Sequence, residues 1–143
     1  MNASQHTTLA AALFTDADVI HTYSRADMLA DGSLVDVSAT AKEAGFRVPV
    51  AVTRAVWTDC IEWTDEDSRH QTHQDQSGRL WDVLWMCMCE AKRQRVHASF
   101  LFELYRVVRG SGKALPRLAT LKAVIGPGDA GEPVITVMQP DED

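Results

Sequence analysis

Three kinds of chemistry-bearing residue crowd into SRHQTHQDQSGRLWDVLWMCMCEAKRQR, from Ser68 to Arg95. His70 and His73 lie at i and i+3, so on a helix they share a face, and Asp65, Asp67, Asp75 or Cys60 could complete a metal-ligand set. Neither an HExxH nor a CxxC pattern accompanies them, and the polar composition of the segment is enough to explain two histidines. Cys87 and Cys89, two apart, point in different directions on a helix and do not chelate one ion. They read as core or near-core thiols. Lys92, Arg93 and Arg95 end the stretch, where cations complement the negative pole of a helix. No metal and no cofactor is expected.

The elements that carry these residues follow from periodicity. Leu80, Leu84, Cys87 and Ala91 make one helical stripe, with Trp81, Trp85 and Met88 beside it and Val83 and Met86 widening the apolar arc. This predicts a largely buried central helix from about Arg79 to Arg95. Upstream, DVIHTYS (18–24) alternates as a strand. Ser24 with Asp27 forms a capping box for RADMLADG, which Gly32 closes. LVDVS (34–38) is a short strand, and Ser38 is placed to cap ATAKEAG, ended by Gly45. Pro49 removes a ladder donor from FRVPVAVT (46–53), which predicts an edge strand or an extended entry. Thr53 caps RAVWTDCIEW, with Val56, Cys60 and Trp63 on one face, and TDEDSRHQTHQDQSG is a polar surface loop with a possible helical start.

From Ala98 the period becomes two. SFLFELYRVVRG, RLATLKAVIG and EPVITVMQ are strands, the last two joined by the turn formers of PGDAG. The expected fold class is α+β: a single domain with short N-terminal strands and helices and a C-terminal antiparallel three-stranded meander packed on the Trp-rich central helix. Residues 1–16 are expected as a flexible N-terminal arm, 17–140 as the domain and 141–143 as an acidic tail.

Composition narrows the function classes. The chain has 143 residues, 45% hydrophobic and 24% charged, enough for one domain with a real core. Three unframed cysteines and an N-terminus without a signal-peptide pattern predict a reduced, cytoplasmic protein, and no apolar run is long enough to span a bilayer. The net charge of −6 is uneven: residues 1–67 carry 11 acidic and 4 basic side chains, residues 68–140 carry 6 and 10, and the last three add −3. An acidic face steers a basic partner, which makes Asp59, Glu62, Asp65, Glu66 and Asp67 the candidate partner-binding surface. A nucleic-acid reading would use Arg106, Arg109, Lys113, Arg117 and Lys122 with the run ending at Arg95, but no recognition motif accompanies them and the pI near 5.3 opposes it.

Two resemblances extend this. VIHTYSRADMLADGSLVDVS resembles, over about 20 residues, the opening His-x-Thr strand of ADP-ribosyltransferase-type folds. That resemblance implies a small nucleotide-using enzyme with His21 holding the cofactor's ribose and Glu103, on a later strand, as the catalytic acid; the Ser-Thr-Ser strand of those folds has no counterpart. YSRADMLADGSLVDVSATAKEAGF, PVAVTRAVWTDCIEW, QDQSGRLWDVLWM and RLATLKAVIGPGDAGEPVITVM together resemble a family of small uncharacterised proteins carried by bacterial plasmids, phages and other mobile elements, from about Val19 to Pro140. This implies a non-enzymatic accessory or anti-defence protein, anti-CRISPR-like in manner, that binds a host protein through its acidic surface. A homodimeric or nucleic-acid-binding protein of plasmid maintenance is the further alternative.

The two main readings separate by mutation. A binder is expected to tolerate His21→Ala and to weaken on charge reversal across Asp65–Asp67 or in added salt; an enzyme is expected to lose activity with His21→Ala and to leave a mass change on its target.

Overall fold

Helix boundaries follow from local hydrogen-bond chemistry. In the computed structural model, which describes residues 23–95 and 98–143, helix α1 (Arg25–Asp31) opens on the expected capping box. The Ser24 hydroxyl accepts from the Asp27 amide at 3.0 Å, and the Asp27 carboxylate accepts from the Ser24 amide at 3.2 Å. Gly32 ends it at φ +86°, a left-handed conformation that favours glycine. The strand expected over 18–24 and the arm over 1–16 lie outside the described residues, apart from Tyr23 and Ser24.

Strand β1 (Leu34–Asp36) leads into α2 (Ser38–Ala44). Ser38 does not cap this helix, as the sequence suggested, because it is the first helical residue and its hydroxyl is used elsewhere. It donates to the Asp36 carboxylate at 2.6 Å and accepts from the Val50 amide at 3.0 Å, fastening the corner to the next strand. That strand, β2 (Val50–Thr53), corrects a second expectation. It is an interior strand, since Pro49 precedes the ladder and only its carbonyl is needed there, accepting from the Ile135 amide at 2.9 Å.

Thr53 caps a single α-helical turn, α3 (Arg54–Val56), which widens into a π-helical segment, Trp57–Ile61. The Glu62 amide bonds to the Trp57 carbonyl, five residues back, at 2.8 Å. The expected face of Val56, Cys60 and Trp63 is buried. The polar segment then forms α4 (Asp65–His70) on a Thr64–Asp67 capping box. The long helix α5 (Gln76–Gln94) begins on an Asp75 cap and presents Val83, Leu84 and Cys87 to the core. It is not buried around its whole arc: Trp85 is 44% and Met86 40% exposed.

Strands β3 (Ser99–Arg106), β4 (Arg117–Pro127) and β5 (Pro133–Met138) follow. They pair antiparallel in chain order, but they do not form a sheet of their own. β5 also pairs in parallel with β2, giving among the described residues one five-stranded mixed sheet in the order β1-β2-β5-β4-β3. The protein is a single α+β domain. One sheet face, including Val50, Val52, Phe102, Leu121 and Val137, packs under α2, the π segment and α5. Across the other face, α1 is tied to the β4–β5 turn and to β5. The Arg25 and Ala26 amides donate to the Asp129 carboxylate at 2.8 and 3.0 Å, and the Arg25 guanidinium donates to the Thr136 hydroxyl at 2.7 Å and the Ile135 carbonyl at 3.0 Å.

Leu121 on β4, opposite Phe102, is wholly buried. Leu121→Ala is expected to lower stability by about 2–5 kcal/mol, read as a lower midpoint in urea with little change in slope.

Candidate functional site

The acidic candidates divide by what they touch. The Asp59 carboxylate meets the Arg106 guanidinium at 3.0 Å and accepts from the Gln139 side-chain amide at 3.2 Å. Arg109 pairs with Glu62 at 3.2 Å and with Asp67 at 2.7 Å. Three of the five carboxylates therefore stitch the π segment and α4 to the end of β3 and the loop after it, while Asp65 and Glu66 remain exposed. Asp67 is held below the usual carboxylate range, first by the Thr64 amide and then by the bonds from Arg109 and the Thr64 hydroxyl.

The same contacts occupy several of the basic candidates. Arg106 and Arg109 are paired as above, and Lys122 donates to the Glu142 carbonyl at 2.6 Å. His70 sits against its own helix, its Nδ1 3.1 Å from the Glu66 carbonyl. Among the described residues, no three His, Cys, Asp or Glu side chains converge as metal ligands, and no helix is long and apolar enough to cross a membrane. Burial pushes the Cys60 and Cys87 thiols up to about 12, so neither is a thiolate near neutral pH. His21 lies outside the described residues, while Glu103 projects from the exposed face of β3.

In the sequence Arg79 marks only the start of a helix. It is 4% exposed and acts as an internal clamp. Its Nε donates to the Ile61 carbonyl at 3.1 Å, its Nη1 donates to the Val107 carbonyl at 2.9 Å and the Gln74 side chain at 2.8 Å, and its guanidinium lies 4.6 Å over the Trp63 ring. The available signal was its spacing, because 79, 83 and 87 fall on one helical stripe whose other members are core residues.

One concave site joins two of these elements. A groove of about 400 Å³ runs between α5 and the outer edge of β3, walled by Asp82, Trp85 and Met86 on the helix and by Glu103, Tyr105 and Leu118 on the sheet. Trp85 stacks on Trp81, with centroids 5.8 Å apart and planes at 13°, which holds the indole in place. Tyr105 is 69% and Leu118 50% exposed, and the two face each other across β3 and β4. Partial burial raises the Asp82 carboxyl above its usual value, opposed by the charge of Arg79. The groove is thus apolar with two acidic side chains, a composition suited to recognition. Sequence periodicity assigned Trp85 and Met86 to the core because it does not tell which part of a wide apolar arc faces solvent.

The described residues form a small α+β domain with an apolar groove beside the edge strand β3. The chain belongs to the family of unknown function DUF6573, whose model matches residues 10–143. No curated protein and no solved structure matches it.

A carboxyl held low in the folded state adds stability above its unfolded pKa, near 4, and that stability is lost as the pH falls through its folded value. Unfolding midpoints measured from about pH 6 down to pH 2 are expected to show a flatter acid limb for Asp67→Asn than for the parent, together with a lower midpoint at neutral pH.

Proposed function

We propose that this chain is a non-enzymatic protein-binding domain, an accessory or anti-defence protein of a mobile genetic element that engages a host protein in the cytoplasm. The observation that supports binding is the groove beside β3, where Trp85, Met86, Tyr105 and Leu118 stand exposed together around Asp82 and Glu103. Exposed aromatic side chains held by a rigid scaffold are the usual anchors of an interface, and clustered apolar exposure of this kind is uncommon on a surface with no partner. Asp65 and Glu66, exposed on α4, supply the remaining part of the acidic surface read from the sequence and act in this scheme on the rate of encounter. The paired Asp59, Glu62 and Asp67 act mainly through the shape of that region, since Arg106 and Arg109 already satisfy them.

Capture from host lysate by the tagged protein tests this by comparing surfaces. The double variant Trp85→Ala, Tyr105→Lys is expected to lose the captured partner. Asp65→Lys with Glu66→Lys is expected to slow capture and alter its salt dependence, and the partner's mass should be unchanged throughout. A partner retained by the groove variant, or returned with a covalent modification, would overturn the reading.

A further inference from the structure

We infer that the groove takes an extended, cationic peptide segment as an additional strand on β3, an inference that rests on the binding reading above. The two sheet edges are built differently. β1 is three residues long and packed by α1, whereas β3 pairs with β4 through eight consecutive residues without a bulge and has no second neighbour among the described residues. Its sequence, SFLFELYR, carries neither the proline nor the lysine that commonly blunts an edge strand.

The direction of its free hydrogen-bonding groups follows from one bond. The Ile125 amide donates to the Ala98 carbonyl at 2.7 Å, and the register sets these two residues directly opposite each other. They are a hydrogen-bonded pair, so antiparallel alternation turns the backbone groups of Phe100, Phe102, Leu104 and Arg106 towards β4. Those of Ser99, Leu101, Glu103 and Tyr105 then face outward, next to the groove. Strand addition uses such a row for affinity and the flanking pockets for specificity.

The flanks name the occupant. Trp85 and Met86 with Asp82 flank the edge on the α5 side, and Tyr105 and Leu118 with Glu103 flank it on the other sheet face, so each flank offers apolar surface and one carboxylate. A lysine or arginine of the incoming segment pairs with these carboxylates and stacks on the aromatic rings. A second copy of β3 fits less well: with all four outward residues paired antiparallel, Glu103 faces the apolar Leu101 of the other copy, and any register that avoids this leaves an outward residue unpaired.

The test uses the full chain and three synthetic probes: an alternating Val-Lys octapeptide, its Val-Glu counterpart, and the Val-Lys peptide N-methylated along one edge. Calorimetry is expected to show binding of the first, with the other two weaker on the order of tenfold or more, the loss that one or two main-chain or charge-assisted bonds entail. Glu103→Lys should reduce the Val-Lys preference. Hydrogen exchange should show the Leu101, Glu103 and Tyr105 amides becoming protected on peptide binding, with Phe100, Phe102 and Leu104 protected throughout.

Absence of Val-Lys binding, or binding indifferent to N-methylation, would overturn strand addition. So would outward amides already protected in the free protein, which would mean that a second copy fills the edge if protection grows with concentration and the chain's own N-terminal residues if it does not. If the peptide fails while the Trp85 and Tyr105 variant still loses its captured partner, binding at the groove survives and only strand pairing falls.

Discussion

The parallel contact between β2 and β5 is the constraint on which the other contacts depend. Val50, Ala51 and Val52 lie beside Ile135, Thr136 and Val137, so strands from opposite halves of the chain meet in the interior of the sheet. A parallel pair requires a long crossover, and here that crossover contains the π segment, α4, α5, β3 and β4. Once the seam is closed, further ties become possible across it. Gln139 reaches Asp59, the Glu142 carboxylate accepts from Thr53, and Asp129 reaches the first turn of α1. The closure entropy is repaid only when the whole crossover is in place, which ties the stability of these elements together.

Charge serves the fold differently in the interior and at the rim. Arg79 is buried without a carboxylate among its direct contacts: Nε and Nη1 donate to backbone carbonyls at the end of the π segment and just after β3, while Nη2 has no hydrogen-bond partner among the described residues. Burial lowers its pKa, the direction expected for a cation removed from water. The rim pairs of Arg106 and Arg109 are partly solvated and hold their segments in register without comparable desolvation. The acidic excess of the first half of the sequence is therefore partly consumed by cations from the second half, leaving an exposed patch on α4, while the carboxylates of the groove, Asp82 and Glu103, come from the second half itself.

Local signals were legible in the sequence where the physics is local. Ser24 with Asp27, Gly32, Thr53 and the two-residue alternation from Ser99 each depend on neighbours a few positions away, and each appears in the structure as read. Pro49 misled because a proline excludes only the residue that must donate, and this one stands a single position before the ladder. Ser38 misled because an acceptor on the preceding strand, Asp36, and a donor distant in sequence, the Val50 amide, compete for its hydroxyl. The groove could not be read at all: it depends on β3 ending the sheet order and on the angle at which α5 crosses it, neither of which periodicity encodes.

The Asp129 carboxylate at the first turn of α1 has a mechanical meaning. The chain ahead of Ser24 enters the fold at this point, and the Arg25 guanidinium continues the connection into β5. Tension applied there is carried to the middle of the sheet through the β4–β5 turn as well as through β1. A load on α1 is thereby divided between the interior strand β5 and the short edge strand β1, so β1 does not bear it alone.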